Sequence, residues 1–363
     1  MIKKEYIIPI FIPFLGCPHD CAFCNQVKIT NYKDTMKPNK VIGEIEKNLT
    51  YFPKTDNIKE IAFFGGSFTG LDKDVMVGYL ELAREYKEKG IIDRIRLSTR
   101  PDYINNSILD ILEEYKVDVI ELGIQSLCQD VLDYNDRGHS VIESYEASKL
   151  IKEYGFTLGH QIMPGLYKDN FEKTIDTVIK SIKSGPDIVR IYPTLVIKDT
   201  KLAMLYEKGI YKPLSLKDAI EVSAEAAILY KYAEINIIRI GLQTTENINE
   251  GEDVIAGPFH PAMRQLVESE IYKKYIEELI KTYDLKNEIT IYTNDRNISL
   301  ISGNNKSNKN YFYEKYKLNI KFKTNNEEFI AFNNKKIDFD LDKFIKAYVK
   351  KNYGGDLILD SKI

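Results

Sequence analysis

Apolar runs long enough to cross a bilayer are missing from this 363-residue chain, and so is any excess of basic charge: 51 Lys and Arg stand against 54 Asp and Glu, a net charge of -3. The first absence argues against a membrane protein. The second argues against binding nucleic acid through overall charge, so any RNA contact must come from a local patch. Cysteine is scarce too. There are four, and Cys17, Cys21 and Cys24 crowd together where disulfides would close loops too tight for their geometry. Such clustering points to a metal centre in a reducing, cytoplasmic compartment. No small-residue cleavage site follows the apolar start, which Pro9 and Pro13 interrupt, so residues 1–14 read as a first core strand and not as a signal peptide. The remainder is ordinary, with 44% hydrophobic and 29% charged residues. It allows a sizeable core, and the length predicts two or three domains.

Short runs rich in β-branched residues, at 6–13, 60–64, 94–98, 119–123, 157–163 and 188–192, alternate with amphipathic stretches at 40–51, 75–89, 107–115, 141–154 and 171–184. This α/β alternation predicts a parallel sheet, as an open doubly wound sheet or a partial barrel, with the chemistry at the strands' C-terminal ends. A helix over 215–232, opened by Ser215 as a cap, and a last strand over 235–242 complete a first domain of residues 1–245. Residues 243–257 are polar and read as an irregular connection. A helix over 261–283 places residues 246–285 as a helical link. From 286 to 363 the chain turns to lysine, asparagine and tyrosine. A strand at 289–292, a turn at 303–308, a helix at 310–316, a strand at 319–323 and a hairpin-like stretch through Ile337 predict a small α+β domain.

Cys17, Cys21 and Cys24 follow the first strand directly, so all three thiols sit in the loop at its C-terminal end. Three soft ligands in one short loop suit an iron-sulfur cluster. A structural zinc site would need a fourth ligand, for which His19 is the nearby candidate, and three buried structural thiols are the plainest alternative. The spacing Cys-x3-Cys-x2-Cys, with Phe23 before the last cysteine, resembles the cluster motif of the radical S-adenosylmethionine (SAM) superfamily. That resemblance implies a [4Fe-4S] cluster whose fourth iron is left for SAM. It also implies reductive cleavage of SAM to a 5'-deoxyadenosyl radical, and an electron donor of flavodoxin or ferredoxin type.

Further matches stand at the later strand ends. Gly65-Gly66-Ser67 would let backbone approach a ligand closely, and the resemblance implies that the glycine pair receives the SAM amino group. Arg100, Gln125 and Gln161 complete the expected SAM pocket. Arg137, in Asn135-Asp136-Arg137-Gly138-His139, offers a guanidinium fork to a carboxylate. The order of Gly65-Gly66-Ser67-Phe68, Thr99-Arg100-Pro101-Asp102, Gly123-Ile124-Gln125-Ser126 and His160-Gln161-Ile162-Met163-Pro164-Gly165 resembles the elongator catalytic-subunit group, over about residues 5 to 245. A weaker similarity is to oxygen-independent coproporphyrinogen oxidases. The implied fold is a partial (β/α)6 TIM barrel of the radical SAM type. The stretch 246–363 does not resemble the acetyltransferase domain of elongator members, so acetyl transfer is not carried over.

In the tail, Gly303 followed by Lys306 and Lys309 between a strand and a helix resembles the Gly-x-x-Gly loop of a KH module, with Lys306 at the second glycine position. The leading expectation is a radical SAM enzyme acting on tRNA or rRNA. The alternatives are a metabolite-directed enzyme of the coproporphyrinogen oxidase kind and a non-enzymatic iron-sulfur RNA-binding protein. Cys128, His139, His160, His260 and Tyr192 each combine a functional option with an ordinary core role.

Overall fold

The computed structural model describes residues 4–12, 17, 20–25, 38–53, 57–242 and 253–354. Its strands begin where β-branched residues are densest: β1 (Glu5–Ile12), β2 (Ile58–Gly65), β3 (Arg94–Thr99), β4 (Val119–Gln125), β5 (Thr157–Ile162), β6 (Ile188–Ile191) and β8 (Asn236–Ile240). These seven pair in the order β1-β2-β3-β4-β5-β6-β8, all parallel. The sheet curls into a half-barrel, as the alternation of strands and helices predicts. The crossovers are α1 (Pro38–Tyr51), α2 (Lys73–Glu88), α3 (Asn106–Glu114), α5 (Val141–Glu153), α6 (Phe171–Lys183) and α8 (Leu216–Tyr232). Their starts are set by side chains that satisfy free helical N–H groups. Asn105 and Asn170 cap α3 and α6, Ser140 forms a reciprocal box with Glu143 on α5, and Ser215 caps α8.

Some elements differ from the expectation. Two short helices, α4 (Gln129–Tyr134) and α7 (Lys201–Glu207), are below the two turns at which hydrophobic periodicity becomes readable. The expected irregular connection contains a strand, β9 (Val254–Ala256), which pairs antiparallel with β7 (Val196–Ile197). The rest of that connection up to residue 252, and His19 with it, lies outside the described residues.

Helix α9 (Met263–Tyr283) leads to a four-stranded sheet of β10 (Glu288–Thr293), β11 (Asn319–Thr324), β12 (Phe329–Phe332) and β13 (Lys335–Asp338), ordered β11-β10-β12-β13. Strands β10 and β11 are parallel and the other pairs antiparallel. Between β10 and β11 run two helices, α10 (Asp295–Ser302), which the sequence pattern did not reveal, and α11 (Ser307–Tyr316), which starts inside the expected turn. The chain ends its described part in α12 (Leu341–Tyr353). One buried apolar cluster runs from Ile8 in β1 through Tyr230 and Tyr275 to Val349 in α12. Tyr348 and Tyr353 of α12 donate hydrogen bonds to the Glu225 carboxylate on α8, at 3.2 and 2.7 Å, so the tail is docked on the barrel's helical layer.

Candidate cofactor pocket

Every strand of the half-barrel from β1 to β5 delivers a polar group to its C-terminal end, and these groups line one cavity: Cys17, Cys21 and Cys24 with Phe23 after β1, Gly65-Gly66-Ser67 after β2, Arg100 after β3, Gln125 at the end of β4 and Gln161 in β5. Arg137, from the loop after α4, closes one wall. All eleven residues expected from sequence at the cluster and SAM positions therefore meet in one place. The cysteine loop is tethered through its backbone: the Ala22 N–H donates to the Asn135 carbonyl at 2.9 Å and the Leu202 N–H donates to the Ala22 carbonyl at 2.7 Å. Cys17 Sγ accepts from the Ser67 N–H at 3.3 Å, which ties the cysteine loop to the glycine turn.

Positive charge concentrates beside Cys21. Arg137 Nη1 lies 3.2 Å from its sulfur and Arg100 Nη1 lies 3.8 Å away, while the Asp102 carboxylate grips Arg100 bidentately at 2.9 and 3.0 Å. Arg100 and Arg137 are both buried. Burial alone would lower the Arg100 pKa, but Asp102 and the nearby thiols outweigh it and raise the guanidinium further, so it stays charged at any working pH.

Two buried groups here are incompletely satisfied. Among the described residues Gln125 Oε1 and Arg137 Nε have no hydrogen-bond partner, an arrangement whose cost is offset once a ligand supplies the missing donor and acceptor. Gly123 makes room for both side chains. A Cβ there would stand 2.7 Å from Gln125 Nε2 and 2.9 Å from Arg137 Nη2, closer than real contacts allow. Gln125 has a φ of 62° at an irregularity in the β4–β5 register, which turns its amide off the strand line. Gly65 has a φ of 108°, a conformation that favours glycine. Among the described residues no three His, Cys, Asp or Glu side chains converge as a single-ion site requires. A cluster distributes its thiolates over different irons, and three cysteines around one cavity with cations beside them fit that group.

Beneath the cavity lies a feature the linear reading missed. Arg96 of β3 bridges Glu60 of β2, at 2.5 and 3.1 Å, and Glu121 of β4, at 2.7 Å. Arg190 of β6 then forks onto the same Glu121 at 2.6 and 2.9 Å. The Gln161 amide nitrogen donates to Glu121 at 2.9 Å and to Ser98 Oγ at 3.3 Å, which connects this buried row to the cavity wall. Burial would raise the Glu121 carboxyl, but Arg190 and Arg96 outweigh it and hold it down at about 2. For Glu60 burial prevails over Arg96 and its pKa is raised. Gly159 accommodates the row, since a Cβ on it would meet Glu121 Cγ at 2.8 Å. The available signal was a charged residue within the runs at 60–64, 94–98, 119–123 and 188–192, but pairing them requires the strand order.

Of the single residues, His139 and His160 are buried, while Cys128, Tyr192 and His260 are half-buried. His160 sits between Ser148 Oγ and Ser181 Oγ, 2.9 Å from each, and burial lowers its pKa to about 3, so it is a neutral core group. Cys128 packs against Lys173, Asp176 and Thr177 and does not line the cavity, and burial raises its thiol. Tyr192 accepts a hydrogen bond from Arg190 Nη1 at 3.3 Å, and the Nδ1 of His260 accepts from the Ala262 N–H. Gly303, Lys306 and Lys309 occupy the turn between α10 and α11 and the first turn of α11, and none of them lines the cavity.

Comparison with known proteins gives the family and the fold. The family model described as the radical SAM superfamily matches residues 11–178, and that of the radical SAM C-terminal domain matches residues 186–273. An uncharacterized protein of Methanocaldococcus jannaschii is 31% identical over 232 residues, 59% of this chain and 70% of its own length. A tRNA uridine(34) acetyltransferase of the same organism is 30% identical over 153 residues, covering 41% of this chain and 28% of that protein. Elongator complex protein 3 of Mus musculus is 35% identical over 138 residues, covering 37% of this chain and 25% of that protein. The chain thus matches between a quarter and a third of these two longer relatives. Among solved structures, Methanocaldococcus infernus Elp3 with an N-terminal deletion superposes with a TM-score of 0.59 at 21% identity, covering 76% of this chain and 64% of that one, which supports the fold. No helix among the described residues is long and apolar enough to cross a membrane.

Proposed function

The chain belongs to the radical SAM superfamily, enzymes built around a [4Fe-4S] cluster and S-adenosylmethionine, and from that premise we propose that it cleaves SAM reductively to modify RNA, with tRNA as the leading substrate class. The observation that carries the first half is the convergence of Cys17, Cys21, Cys24, Gly65, Gly66, Gln125 and Arg137, from separate elements, on one cavity. Cys17, Cys21 and Cys24 would hold the cluster, which would supply the electron for reductive cleavage of SAM to methionine and a 5'-deoxyadenosyl radical able to take a hydrogen atom from the substrate.

The protein's own share is position and charge. Cys17, Cys21 and Cys24 hold the three protein-bound irons. The buried Arg137 and the Asp102-braced Arg100 supply fixed positive charge for a carboxylate, and Gln125 Oε1 supplies the acceptor that an ammonium or a hydroxyl needs. Glu121 holds the Gln161 nitrogen, fixing that side chain at the wall with its amide oxygen available to a ligand. Phe23 packs toward the cluster of Val196, Leu202 and Tyr211 and gives the cavity an apolar lip against water. This reading requires an external one-electron donor of ferredoxin or flavodoxin type, and a compartment, such as the cytoplasm, in which thiols stay reduced. The RNA half is supported by the tRNA-directed names of the aligned relatives.

The test has two parts. Protein reconstituted with iron and sulfide, then reduced with dithionite, should form 5'-deoxyadenosine from SAM. Cys21→Ala should lose both the visible absorbance of the cluster and the product. No 5'-deoxyadenosine from the wild type would sink the radical reading. A mass-spectrometric comparison of modified nucleosides from cells with and without the gene should then show one nucleoside missing, and unchanged profiles would move the substrate to a small metabolite.

A further inference from the structure

The tail's four-stranded sheet has two unlike faces. One is sealed: Ile289 and Ile291 of β10, Ile320 of β11, Ile330 of β12 and Ile337 of β13 are buried with Phe312 of α11 and Phe344 of α12. The other carries two rows fixed by the strand register, Lys321-Thr290-Ala331-Lys336 and Lys323-Tyr292-Phe329-Asp338. At its centre the Tyr292 and Phe329 rings stack, with centroids 4.4 Å apart and planes within 9°. Neither ring belongs to the buried core. Lys323 Nζ stands 5.6 Å from the Tyr292 centroid and Lys336 Nζ stands 4.3 Å from that of Phe329.

Two parallel-stacked aromatics on a solvent-facing sheet are an unusual surface investment, because two such rings would ordinarily be placed inside. We propose that this face is a platform for unpaired RNA, on which bases extend the Tyr292-Phe329 stack while the flanking lysines meet phosphates. This deepens the RNA reading above and rests on it. Charge complementarity selects the occupant. On a chain of net charge -3, lysines stand on both sides of the stack, and Lys323 has no ion-pair or hydrogen-bond partner among the described residues. Thr290 and Ala331, the small residues beside the rings in the adjoining row, leave space for a base to lie flat. A duplex keeps its base faces hidden, so the platform selects single strands, and stacking makes it tolerant of sequence.

The alternative grip, the turn at Gly303 to Lys306, belongs to the helical side. Gly303 has a φ of 79°, and a Cβ on it would meet Ser307 Oγ at 2.4 Å. Lys306 has a φ of 62° and carries its side chain where a second glycine would let a sugar-phosphate backbone come close. The two surfaces therefore make opposite forecasts.

The experiment is fluorescence anisotropy on the full reconstituted chain with a labelled oligouridine, repeated after annealing to oligoadenine. The wild type should bind the single strand and bind the duplex about tenfold more weakly. Tyr292→Ala with Phe329→Ala, and the volume-conserving Tyr292→Leu with Phe329→Leu, should each lose about tenfold or more in affinity. Tyr292→Phe with Phe329→Tyr and Lys306→Ala with Lys309→Ala should each stay within about twofold of the wild type. Folding is checked by the melting temperature, and the leucine pair answers the question if the alanine pair does not fold. Unchanged affinity in the leucine pair, or a loss confined to the Lys306 and Lys309 variant, overturns the platform and leaves the RNA reading standing. A wild type that binds neither form of RNA overturns both.

Discussion

The half-barrel and the tail sheet place polar residues on opposite sides of the same kind of scaffold. Inside the barrel Glu60, Arg96, Glu121 and Arg190 are nearly inaccessible and joined in one row. On the tail sheet Lys321 and Lys336 stand out in solvent and meet Glu288 and Glu327 at exposed positions. A buried row costs desolvation and tolerates no missing member, so it fixes geometry. An exposed row costs little and fixes little, but its charges remain available to a partner. One sheet is thus built to hold a small ligand rigidly and the other to present a surface.

The largest effect that tests this contrast is on stability. Glu121→Gln leaves Arg96 and Arg190 without their shared carboxylate, and should cost about 3 to 5 kcal/mol, read from the midpoint of chemical denaturation. Lys321→Gln, which breaks the exposed pair with Glu288, should change it by less than about 1 kcal/mol. Equal effects would erase the distinction. Acid sharpens it. The Glu121 carboxyl is held at about 2 against about 4.3 when unfolded, so its contribution is fully present above the higher value and fades as pH falls through the lower one. The gap between wild type and Glu121→Gln should narrow over that window. Glu60, whose pKa is raised, acts in the opposite sense, because its charged form is the disfavoured one in the fold.

A smaller effect is confined to the pocket. Gly123→Ala forces a methyl against Gln125 and Arg137, and overpacking of that kind should weaken SAM binding about tenfold, measured by equilibrium dialysis on reconstituted protein. Oligouridine affinity should not change. If SAM binding is also untouched, Gln125 and Arg137 are not its holders.

What was readable in advance follows the same division. The cysteine triad, Gly65-Gly66 and Arg100 are local signals that need only their position after a strand, and each stands where the sequence placed it. The buried row was illegible because Glu121 meets Arg190 only once β4, β5 and β6 are aligned. Helix α10 was hidden because Asp-Arg-Asn-Ile-Ser-Leu-Ile-Ser is mostly polar and starts at an Asn cap that also reads as a turn. Tyr292 and Phe329 looked like two unrelated aromatics. Their stack exists only through the antiparallel register of β10 and β12.

The smallest expected effect concerns Lys323, the platform lysine whose charge is not shared among the described residues. Lys321 and Lys336 already have carboxylate partners, so a phosphate that approaches them must compete with Glu288 and Glu327. Among the described residues, Lys323 has only the Tyr292 ring as a partner. Neutralising it by Lys323→Gln should therefore reduce the slope of log affinity against log salt for oligouridine by about 0.7, the counterion released by one single-strand phosphate contact. Affinity near physiological salt should fall only about two- to threefold, and the melting temperature should stay put, because the side chain is exposed. A slope unchanged in this variant but reduced in Lys306→Ala would relocate the phosphate track to the helical side. The exposed sheet would then lose the feature that sets it apart from the barrel.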